Sequence, residues 1–397
     1  MAVEIRPATQ DEIEQFKRVA GNALVMNPDT FVGMEPEFTF CAFEDGKLAT
    51  SHAAWPLQMR FNGVGLPVAA VTTVGTLPVY RRRGNLRRIM EAYFTKLHEQ
   101  GERPIAILTA SLAAIYQRYG YAVVSTQVRY DVEPHYLRFS YDRPTPGSFR
   151  EATDDDFSLL VDLYRRFRAD RTGYLHRGRA MWQAGVLAPP PSDGFLNRVV
   201  YEEDGEPLGD LVYTIQPGQG RFLPSQTVMV RDLIWLTPAA YRAAWNLLGN
   251  LDLANTVVWD HVPVDDPLPH MLLEPRMLRA TAREGLLGRI VDIEQALPKR
   301  PYDSEGSLTF EVVDDICPWN RGTWKLEASA EGGSIVHTTE EPQLVMPVGT
   351  LAMLVFGQIS ASEAHRMQRL DVNRAEALPV WDNVMRTKYR PAFADNF

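Results

Sequence analysis

The first third of the chain alternates between the two-residue period of strands and the period of about 3.6 residues that marks helices. Residues 66–78 are uncharged throughout and end at a proline, which predicts a buried central strand. Ile13, Phe16, Val19 and Ala20 recur at helical spacing, and a second apolar face follows Gly84 and ends near Gly101. The pattern predicts a helix on each side of this strand in the sequence.

Shorter patterns complete this region. Strands are predicted at 3–9, 104–111 and 121–134, a short helix at 112–120, and a hairpin within 39–59 that turns at Asp45-Gly46. The second third repeats the beginning, because 149–167 has the same order of strand, Thr-Asp helix cap and amphipathic helix as 3–19. We interpret this as duplication of one fold.

The last third has strands predicted in 306–316, 322–330 and 333–347, followed by helices in 348–359, 360–370 and 376–389. The whole chain is therefore predicted to be α/β, with mixed α+β sheets and three domains at 1–145, 146–290 and 291–397. A length of 397 residues exceeds what one core usually organises.

Composition narrows the class of protein. The chain is 45% hydrophobic and 23% charged, and it has neither an apolar leader nor a long uncharged apolar run, so we expect a cytoplasmic protein without a membrane partner. The net charge of −9 disfavours nucleic acid and favours a cationic small molecule as partner. Cys41 and Cys317 have no metal-ligand spacing, so no metal is expected.

The connection after the central strand carries a concentration of positive charge. Arg81, Arg82, Arg83 and Gly84 lie between that strand and the predicted helix. A helix N-terminus attracts anions through its free N–H groups and its dipole, glycine allows close approach, and arginine adds paired donors. The segment predicts a phosphate site, although an Arg-x-x-Gly sequence alone also occurs at many solvated helix starts.

Two motifs in this order resemble those of the Gcn5-related N-acetyltransferases. Arg81-x-x-Gly84 matches the start of their pyrophosphate turn, and Tyr116-Gln-Arg-Tyr-Gly120-Tyr121 matches a tyrosine motif on the next helix. Leu86 departs from the general turn, but leucine is expected there in the Eis (enhanced intracellular survival) group. The segments 260–297 and 299–315 are similar to that group too, so the resemblance covers essentially the whole chain.

The resemblance implies an acetyl-CoA-dependent N-acetyltransferase with tandem acetyltransferase folds and a C-terminal domain similar to sterol carrier proteins. The second fold would lack the CoA motif, and the assembly would be a homohexamer. Backbone groups where the strand is expected to open at Gly75 would hold the pantetheine arm and the thioester. The residues implied to bind acetyl-CoA are Val74, Gly75, Thr76, Arg81, Arg82, Arg83, Gly84, Asn85, Leu86 and Ser111.

Two residues are implied to carry the proton transfers. Tyr116 would protonate the departing thiolate, at a cost of roughly 2 kcal/mol for reference pKa values near 10 and 8.5. The chain ends on an apolar residue, Phe397. In the Eis group the C-terminal carboxylate accepts the substrate's proton, and the resemblance implies this role for the α-carboxylate of Phe397. From the residues alone, Tyr116 also fits an aromatic that packs its helix on the sheet, and Phe397 an inert packed end.

The substrate is the least determined part. Asp29, Glu35 and Glu37 lie in the stretch that this family uses for its amine, although a solvated loop fits them nearly as well. The family favours aminoglycosides. Protein lysines and polyamines stay open as amines, a longer acyl chain stays open as donor, and a lipid- or CoA-binding protein without turnover is the non-enzymatic alternative.

Overall fold

The computed structural model describes residues 2–190, 194–218 and 225–397. These residues form two compact units: one holds 2–124, 286–387 and Phe397, and the other holds 125–285 and 388–396. Within the described residues, no helix has both the length and the apolar composition needed to cross a bilayer.

The elements follow the predicted mixture of strands and helices. In chain order the strands are β1 Val3–Arg6, β2 Cys41–Glu44, β3 Lys47–Phe61, β4 Val64–Thr76, β5 Ile105–Leu108, β6 Ala122–Val123, β7 Thr126–Val132, β8 Ser148–Glu151, β9 Phe195–Glu203, β10 Glu206–Gln216, β11 Gln226–Trp235, β12 Ala254–Pro263, β13 Thr281–Glu284, β14 Leu287–Ile290, β15 Gly306–Val313, β16 Gly322–Ser329, β17 Gly332–His337, β18 Leu344–Pro347 and β19 Asp371–Val372. The helices are α1 Ile13–Leu24, α2 Asn85–Gln100, α3 Ala113–Gln117, α4 Phe157–Phe167, α5 Arg179–Ala184, α6 Pro238–Gly249, α7 Ile293–Ala296, α8 Val348–Phe356, α9 Ala361–Arg366 and α10 Ala377–Val384.

The first unit contains a mixed sheet in the order β1-β2-β3-β4-β5-β14-β6. The predicted hairpin is present: β2 and β3 pair antiparallel and turn through Asp45 and Gly46, which have φ of 47° and 78°. β4 runs antiparallel to β3 and parallel to β5, and α2 forms the crossover between β4 and β5. The predicted central strand therefore lies near the middle of the sheet.

The same unit carries a five-stranded sheet in the order β17-β16-β15-β18-β19. Helices α8 and α10 contribute to its core, where the rings of Phe310 and Trp381 meet edge to face at 5.1 Å. The stretch predicted as one strand at 333–347 is two strands, β17 and β18, separated by a loop. This sheet corresponds to the last predicted group of strands and helices.

The second unit contains a sheet in the order β13-β7-β12-β11-β10-β9-β8. Its strands repeat the first sheet: β8 to β11 follow the order of β1 to β4, and β11 runs parallel to β12 with α6 as the crossover. The strand predicted at 121–134 divides here, because β6 pairs in the first unit and β7 in the second. The short strand β14, which the sequence did not predict, returns to pair with β5 and β6.

The duplication extends to the helix caps. Thr9 and Glu12 form a capping box ahead of α1, as Thr153 and Asp156 do ahead of α4. An arginine from the preceding strand pairs with each acid, at 2.7 Å in the first unit and 2.9 Å in the second. These hydrogen bonds lower the pKa of both carboxyl groups to about 2. The predicted repeat therefore holds at the level of individual contacts.

Candidate active site

β4 separates from β5 partway along its length. Its parallel pairing with β5 is limited to Val68, Ala69 and Ala70, whereas its antiparallel pairing with β3 continues to Thr76. The last part of β4, Val71 to Thr76, therefore has no paired strand on its β5 side among the described residues, and we call this unpaired edge the first gap. Backbone N–H and C=O groups along such an edge are available to an extended ligand.

A β-bulge shapes β4 at the first gap. Ala53 pairs with Thr72 and Ser51 pairs with Gly75, so two residues of β4 stand opposite the single residue His52. Thr73 has a φ of 52°, a left-handed conformation that a β-branched residue rarely adopts and that costs about 1–3 kcal/mol. The sequence predicted that the strand opens at Gly75. The pairing of β4 with β5 already ends at Ala70, and the bulge in its pairing with β3 lies at Thr73 and Val74.

Contacts on the other side of β4 hold the bulge. The Ser51 hydroxyl lies 2.8 Å from the carbonyl oxygen of Thr73 and 3.2 Å from that of Gly75. A Cβ at Gly75 would lie 2.6 Å from the Cβ of Ala23 in α1, so only glycine permits this close packing. Gly75 therefore serves the approach of α1 to the strand, while Thr73 makes the change in backbone direction.

His52 lies opposite the bulge and is fully buried. Neither of its ring nitrogens has a hydrogen-bond partner among the described residues, and burial lowers its pKa to about 3. The imidazole is therefore neutral at ordinary pH. Its contact with the Tyr93 ring, at 4.8 Å, is that of a core side chain.

The turn after β4 leads directly into α2. Gly84 has a φ of 81° and occupies the N-cap without a side-chain acceptor, and Arg82 is also left-handed with a φ of 62°. The first backbone hydrogen bond of the helix runs from the Arg88 amide to the Gly84 carbonyl, so the amides before it are not satisfied within the helix. The helix begins with free N–H groups and a positive dipole end.

The predicted phosphate-binding residues divide into two groups. Arg83 donates to one carboxylate oxygen of buried Glu44 at 2.8 Å, and Asn85 donates to the other at 2.6 Å. These hydrogen bonds, that of Asn85 first, lower the pKa of Glu44. Arg83 and Asn85 thus hold the turn against the sheet.

The other members of the turn face solvent or the core. Arg82 is exposed and has no hydrogen bond or ion pair with any residue in the described ranges, and Arg81 donates to the Thr76 carbonyl at 3.2 Å. Leu86 is half-buried and packs with the core of α2. Arg82 and the helix amides are therefore the groups of the turn that are free to meet an anion.

The tyrosine motif follows β5. Tyr116 lies on α3, half-buried against the same core, with its ring 5.9 Å from that of Tyr121. Its hydroxyl makes no hydrogen bond within the described part of the chain, and burial raises its pKa to about 12. The phenol therefore keeps its proton at physiological pH. Ser111 is exposed in the loop that leads from β5 to this helix.

The end of the chain lies at the first gap. The Thr72 hydroxyl donates to a carboxylate oxygen of Phe397 at 3.2 Å, and Phe397 is half-buried. Thr72 directly precedes the bulge residue Thr73. The terminal carboxylate and the distorted part of β4 are thus brought together, although they are separated by more than 300 positions in the sequence.

The preceding residues 388–396, which we call the tail segment, belong to the second unit. Arg177 donates to the carboxylate of Asp395 at 2.6 Å and also pairs with Asp232. The Ala392 amide donates to the Thr172 carbonyl at 3.0 Å, and a Cβ at Gly173 would lie 2.2 Å from the Ala392 carbonyl oxygen. The tail segment is therefore fixed by buried contacts and is not a free end.

The second unit has a corresponding unpaired edge, the second gap, where β11 continues beyond Val230 without pairing with β12. A cavity of about 10 Å³ lies beside these strands, and its lining includes Tyr174, His261 and, from the tail segment, Ala394. This volume is about that of one water molecule. No arginine-glycine turn follows β11, where Thr237 caps α6 with its own side chain.

The three acids predicted near the amine lie on short turns before β2. Asp29 lies in the short helical turn Pro28–Thr30. Glu35 directly precedes the turn Pro36–Phe38, and Glu37 lies within it. All three are exposed, and none forms an ion pair with another residue that the structure describes. They are available to a soluble cation, and no hydrogen bond or ion pair within the described residues joins them to Tyr116 or Phe397.

Sequence reasoning missed three residues of this region. Thr72 binds the terminal carboxylate, Ser51 holds the bulge, and Glu44 joins Arg83 to Asn85. Each acts on a partner that is distant in the chain. Only Glu44 had a local signal, since a fully charged residue at the end of a buried strand requires a partner.

Sequence models of known families match three parts of the chain. Models described as acetyltransferase (GNAT) domain match residues 4–124 and 173–290. A model described as sterol carrier protein domain matches residues 293–394. These matches identify the folds of the two seven-stranded sheets and of the five-stranded sheet.

Individual proteins are similar over most of the chain. An uncharacterized N-acetyltransferase of Streptomyces avermitilis is 33% identical over 307 residues, which cover 75% of this chain and 74% of the relative. The N-acetyltransferase Eis of Mycobacterium tuberculosis is 28% identical over 340 residues, 80% of each chain. The crystal structure of Eis1 from Mycobacterium abscessus has a TM-score of 0.82 and 25% identity, covering 99% of this chain and 100% of that one.

Proposed function

The chain belongs to the Eis-like group of the Gcn5-related N-acetyltransferases and is an N-acetyltransferase enzyme, and on that premise we propose that it acetylates primary amines of cationic small molecules such as aminoglycosides. The acetyl group passes from acetyl-CoA, the co-substrate that the acetyltransferase domains imply, directly to the amine in a ternary complex. No covalent acetyl-enzyme forms.

The hydrogen bond between Thr72 and Phe397 is the observation that carries this proposal. It holds a carboxylate beside the opening of β4, and a carboxylate there attracts a cationic amine and accepts its proton. The net charge of −9 and the exposed Asp29, Glu35 and Glu37 add a field that draws cations. These three acids form the outer part of the proposed amine site.

The turn and the strand fit acetyl-CoA. Arg82, with Arg81, and the amides that begin α2 receive the pyrophosphate, while Arg83 and Asn85 keep the turn in place through Glu44. Backbone groups of Val74, Gly75 and Thr76, which lie beyond the last pairing of β4 with β5, receive the pantetheine arm. The buried hydroxyl of Thr73 has no partner among the described residues and supplies a further polar group here.

Proton transfers to Phe397 and from Tyr116 accompany the proposed chemistry. Phe397 takes a proton from the ammonium group, directly or through a water, which leaves a neutral amine with a free electron pair. The amine nitrogen forms a bond to the acetyl carbon, and the carbon–sulfur bond breaks with its electron pair on sulfur. Tyr116 gives its proton to that thiolate, and backbone N–H groups of β4 stabilise the oxyanion. The nitrogen of the new amide then loses its second proton to water, Phe397 releases its proton to water, and the Tyr116 phenolate takes a proton from water, which restores the enzyme.

The family resemblance also suggests the domain borders, the assembly and the location of the protein. We propose three domains at 1–145, 146–290 and 291–397, a homohexamer, and a place in the cytoplasm. The ranges matched by the family models lie inside these three domains. Limited proteolysis and light scattering test the borders and the assembly.

The experiment that tests the amine class is product analysis. The enzyme is incubated with acetyl-CoA and, separately, with aminoglycosides, polyamines and lysine peptides, and release of free CoA thiol is followed beside mass spectrometry. Acetylated aminoglycosides at the highest rate support the proposal. Acetylation of peptides or polyamines alone rejects the amine class, and CoA binding without thiol release with any amine rejects turnover of these amines.

A further inference from the structure

A cleft of about 450 Å³ lies in the second unit, at the junction between the end of β11 and the start of α6. Its walls include Phe167, Arg171, Trp235, Tyr241, Met271 and Tyr389. The volume lies within the range of small-molecule sites, and aromatic rings with few polar groups are typical of them. The cleft belongs wholly to the second unit and is not part of the acetyl-transfer site.

Arg171 is the unusual member of this cleft. It is 6% exposed, and only its Nε has a hydrogen-bond acceptor, the Phe167 carbonyl at 3.2 Å. Its guanidinium carbon lies 4.0 Å from the centre of the Phe167 ring and 4.1 Å from that of Tyr389. Within the described residues no carboxylate pairs with it, and its two terminal nitrogens donate to no acceptor.

A buried arginine is ordinarily paired. In the same unit Arg177 is equally buried and has two carboxylate partners, Asp232 and Asp395. Burial of a charge without a counter-ion costs free energy, which ring contacts offset only in part. Asp170, which also lines the cleft, already pairs with Lys388 at 2.7 Å. An external anion would therefore complete the coordination of Arg171.

We propose that this cleft binds a small organic anion, with Arg171 pairing its carboxylate or phosphate and the aromatic walls covering a flat ring. The terminal nitrogens of a guanidinium match two oxygens of such a group. Trp235 and Tyr389 are half-buried and present ring surface to the ligand, and Arg166 adds positive charge at the exposed rim. This site is additional to acetyl transfer and does not depend on the amine that the enzyme uses.

Calorimetric titration tests the proposal on the full chain, with CoA present at saturation so that the acetyl-CoA site is occupied. The probes are 2-naphthoate, 2-naphthyl phosphate and the uncharged 2-naphthalenemethanol. At least one anion is expected to bind one site per chain at least about tenfold more tightly than the alcohol. The preferred anion distinguishes a carboxylate ligand from a phosphate ligand.

Variants locate the binding. Arg171→Gln is expected to weaken the affinity for the anion at least about tenfold. Arg165→Gln removes an equal charge from the exposed face of α4 and is expected to change this affinity by less than about twofold. If Arg171→Gln does not fold, Met271→Trp fills the cleft from its half-buried wall and is expected to abolish binding. No binding by either anion, equal binding of the alcohol, or unchanged binding in Met271→Trp would overturn the proposal.

Discussion

The connections after β4 and after β11 occupy the same position in two copies of one fold. They differ in length, in charge and in how the next helix is capped. After β4 the chain takes residues 77–84 to reach α2, with three arginines and a glycine N-cap that has no side-chain acceptor. After β11 it takes only Leu236 and Thr237 to reach α6, and the Thr237 hydroxyl accepts from the Ala240 amide at 3.1 Å. One helix start is open to an anion, and its counterpart is closed by its own cap.

The two gaps differ in the same sense. The first gap has a bulge at Thr73 and the terminal carboxylate at its border, whereas beside the second gap lies a cavity of about 10 Å³ that is lined in part by Ala394 of the tail segment. The second unit thus contains the tail segment, and the first unit contains the bulge and the arginine turn on which the proposed chemistry depends. Because the order of strands is shared, we expect the connections and gaps to determine which copy carries the chemistry.

Removal of the cation that pairs with Asp232 and Asp395 is expected to have the largest effect, and it acts on the stability of the fold. Arg177→Met leaves Asp232 and Asp395 buried without their cation, and loss of one partner of a buried ion pair costs about 3–5 kcal/mol. Urea unfolding followed by circular dichroism measures this loss. The exposed Arg165→Met serves as control, and a change below about 1 kcal/mol in Arg177→Met would mean that these pairs do not fix the tail segment.

The proposed role of Tyr116 as the general acid is tested by Tyr116→Phe. We expect kcat to fall at least about tenfold while the KM for acetyl-CoA stays within about twofold, because the change removes a proton that is needed only as the thiolate departs. Steady-state kinetics with thiol detection measures both, and Tyr119→Phe, one turn later, is the matched control. Unchanged kcat in Tyr116→Phe would remove the tyrosine from the mechanism.

The pH dependence gives a second test of the same residue. Burial raises the pKa of Tyr116 to about 12, and the proposed mechanism uses the protonated phenol. Activity that depends on it is therefore present at lower pH and is lost only as the pH rises through that value. A profile of kcat that falls through ionisation of a tyrosine near pH 8 would contradict this assignment.

The open helix start is tested by removal of one charge. Arg82→Gln is expected to raise the KM for acetyl-CoA about fivefold with little change in kcat, because Arg82 is the arginine of the turn without a protein partner in the described residues. Arg87→Gln is the control, because it removes an equal charge from the first turn of α2 at a residue that already pairs with Glu91 at 2.7 Å. Equal effects in both variants would indicate a general field and not a contact.

The smallest expected effect concerns the second unit. Both carboxylate oxygens of Asp210 are buried without a partner in the described residues, and burial, with the Asp232 charge, raises its pKa well above the ordinary value. Because the folded state binds this proton more tightly, the contribution of Asp210 to stability is fully present below pH 4 and is lost as the pH rises from near 4 toward the folded pKa. Asp210→Asn is expected to raise Tm at pH 8 by about 2–4 °C and to reduce this dependence. Calorimetric scans measure it, and no rise relative to Asp252→Asn would argue against the buried acid.

Local features were predictable from the sequence, and long-range ones were not. Apolar periodicity indicated α1, α2 and β4, and the repeated Thr-Asp cap indicated the duplication, because each depends on neighbours in the chain. The strand β14 pairs with β5 across about 180 positions, so its few residues carry no local signal of where they pair. The same holds for the contact of Thr72 with Phe397, where the apolar end suggested burial but not its location.

Extension of the chain after Phe397 tests the central claim most directly. Two added glycines move the carboxylate away from Thr72 but leave the arginine turn and Tyr116 unchanged. The account predicts that kcat for the best amine falls at least about tenfold while acetyl-CoA binds with its original affinity, and that Asn396→Ala, which keeps the carboxylate, retains full activity. Full activity of the extended enzyme would contradict the role of the terminal carboxylate.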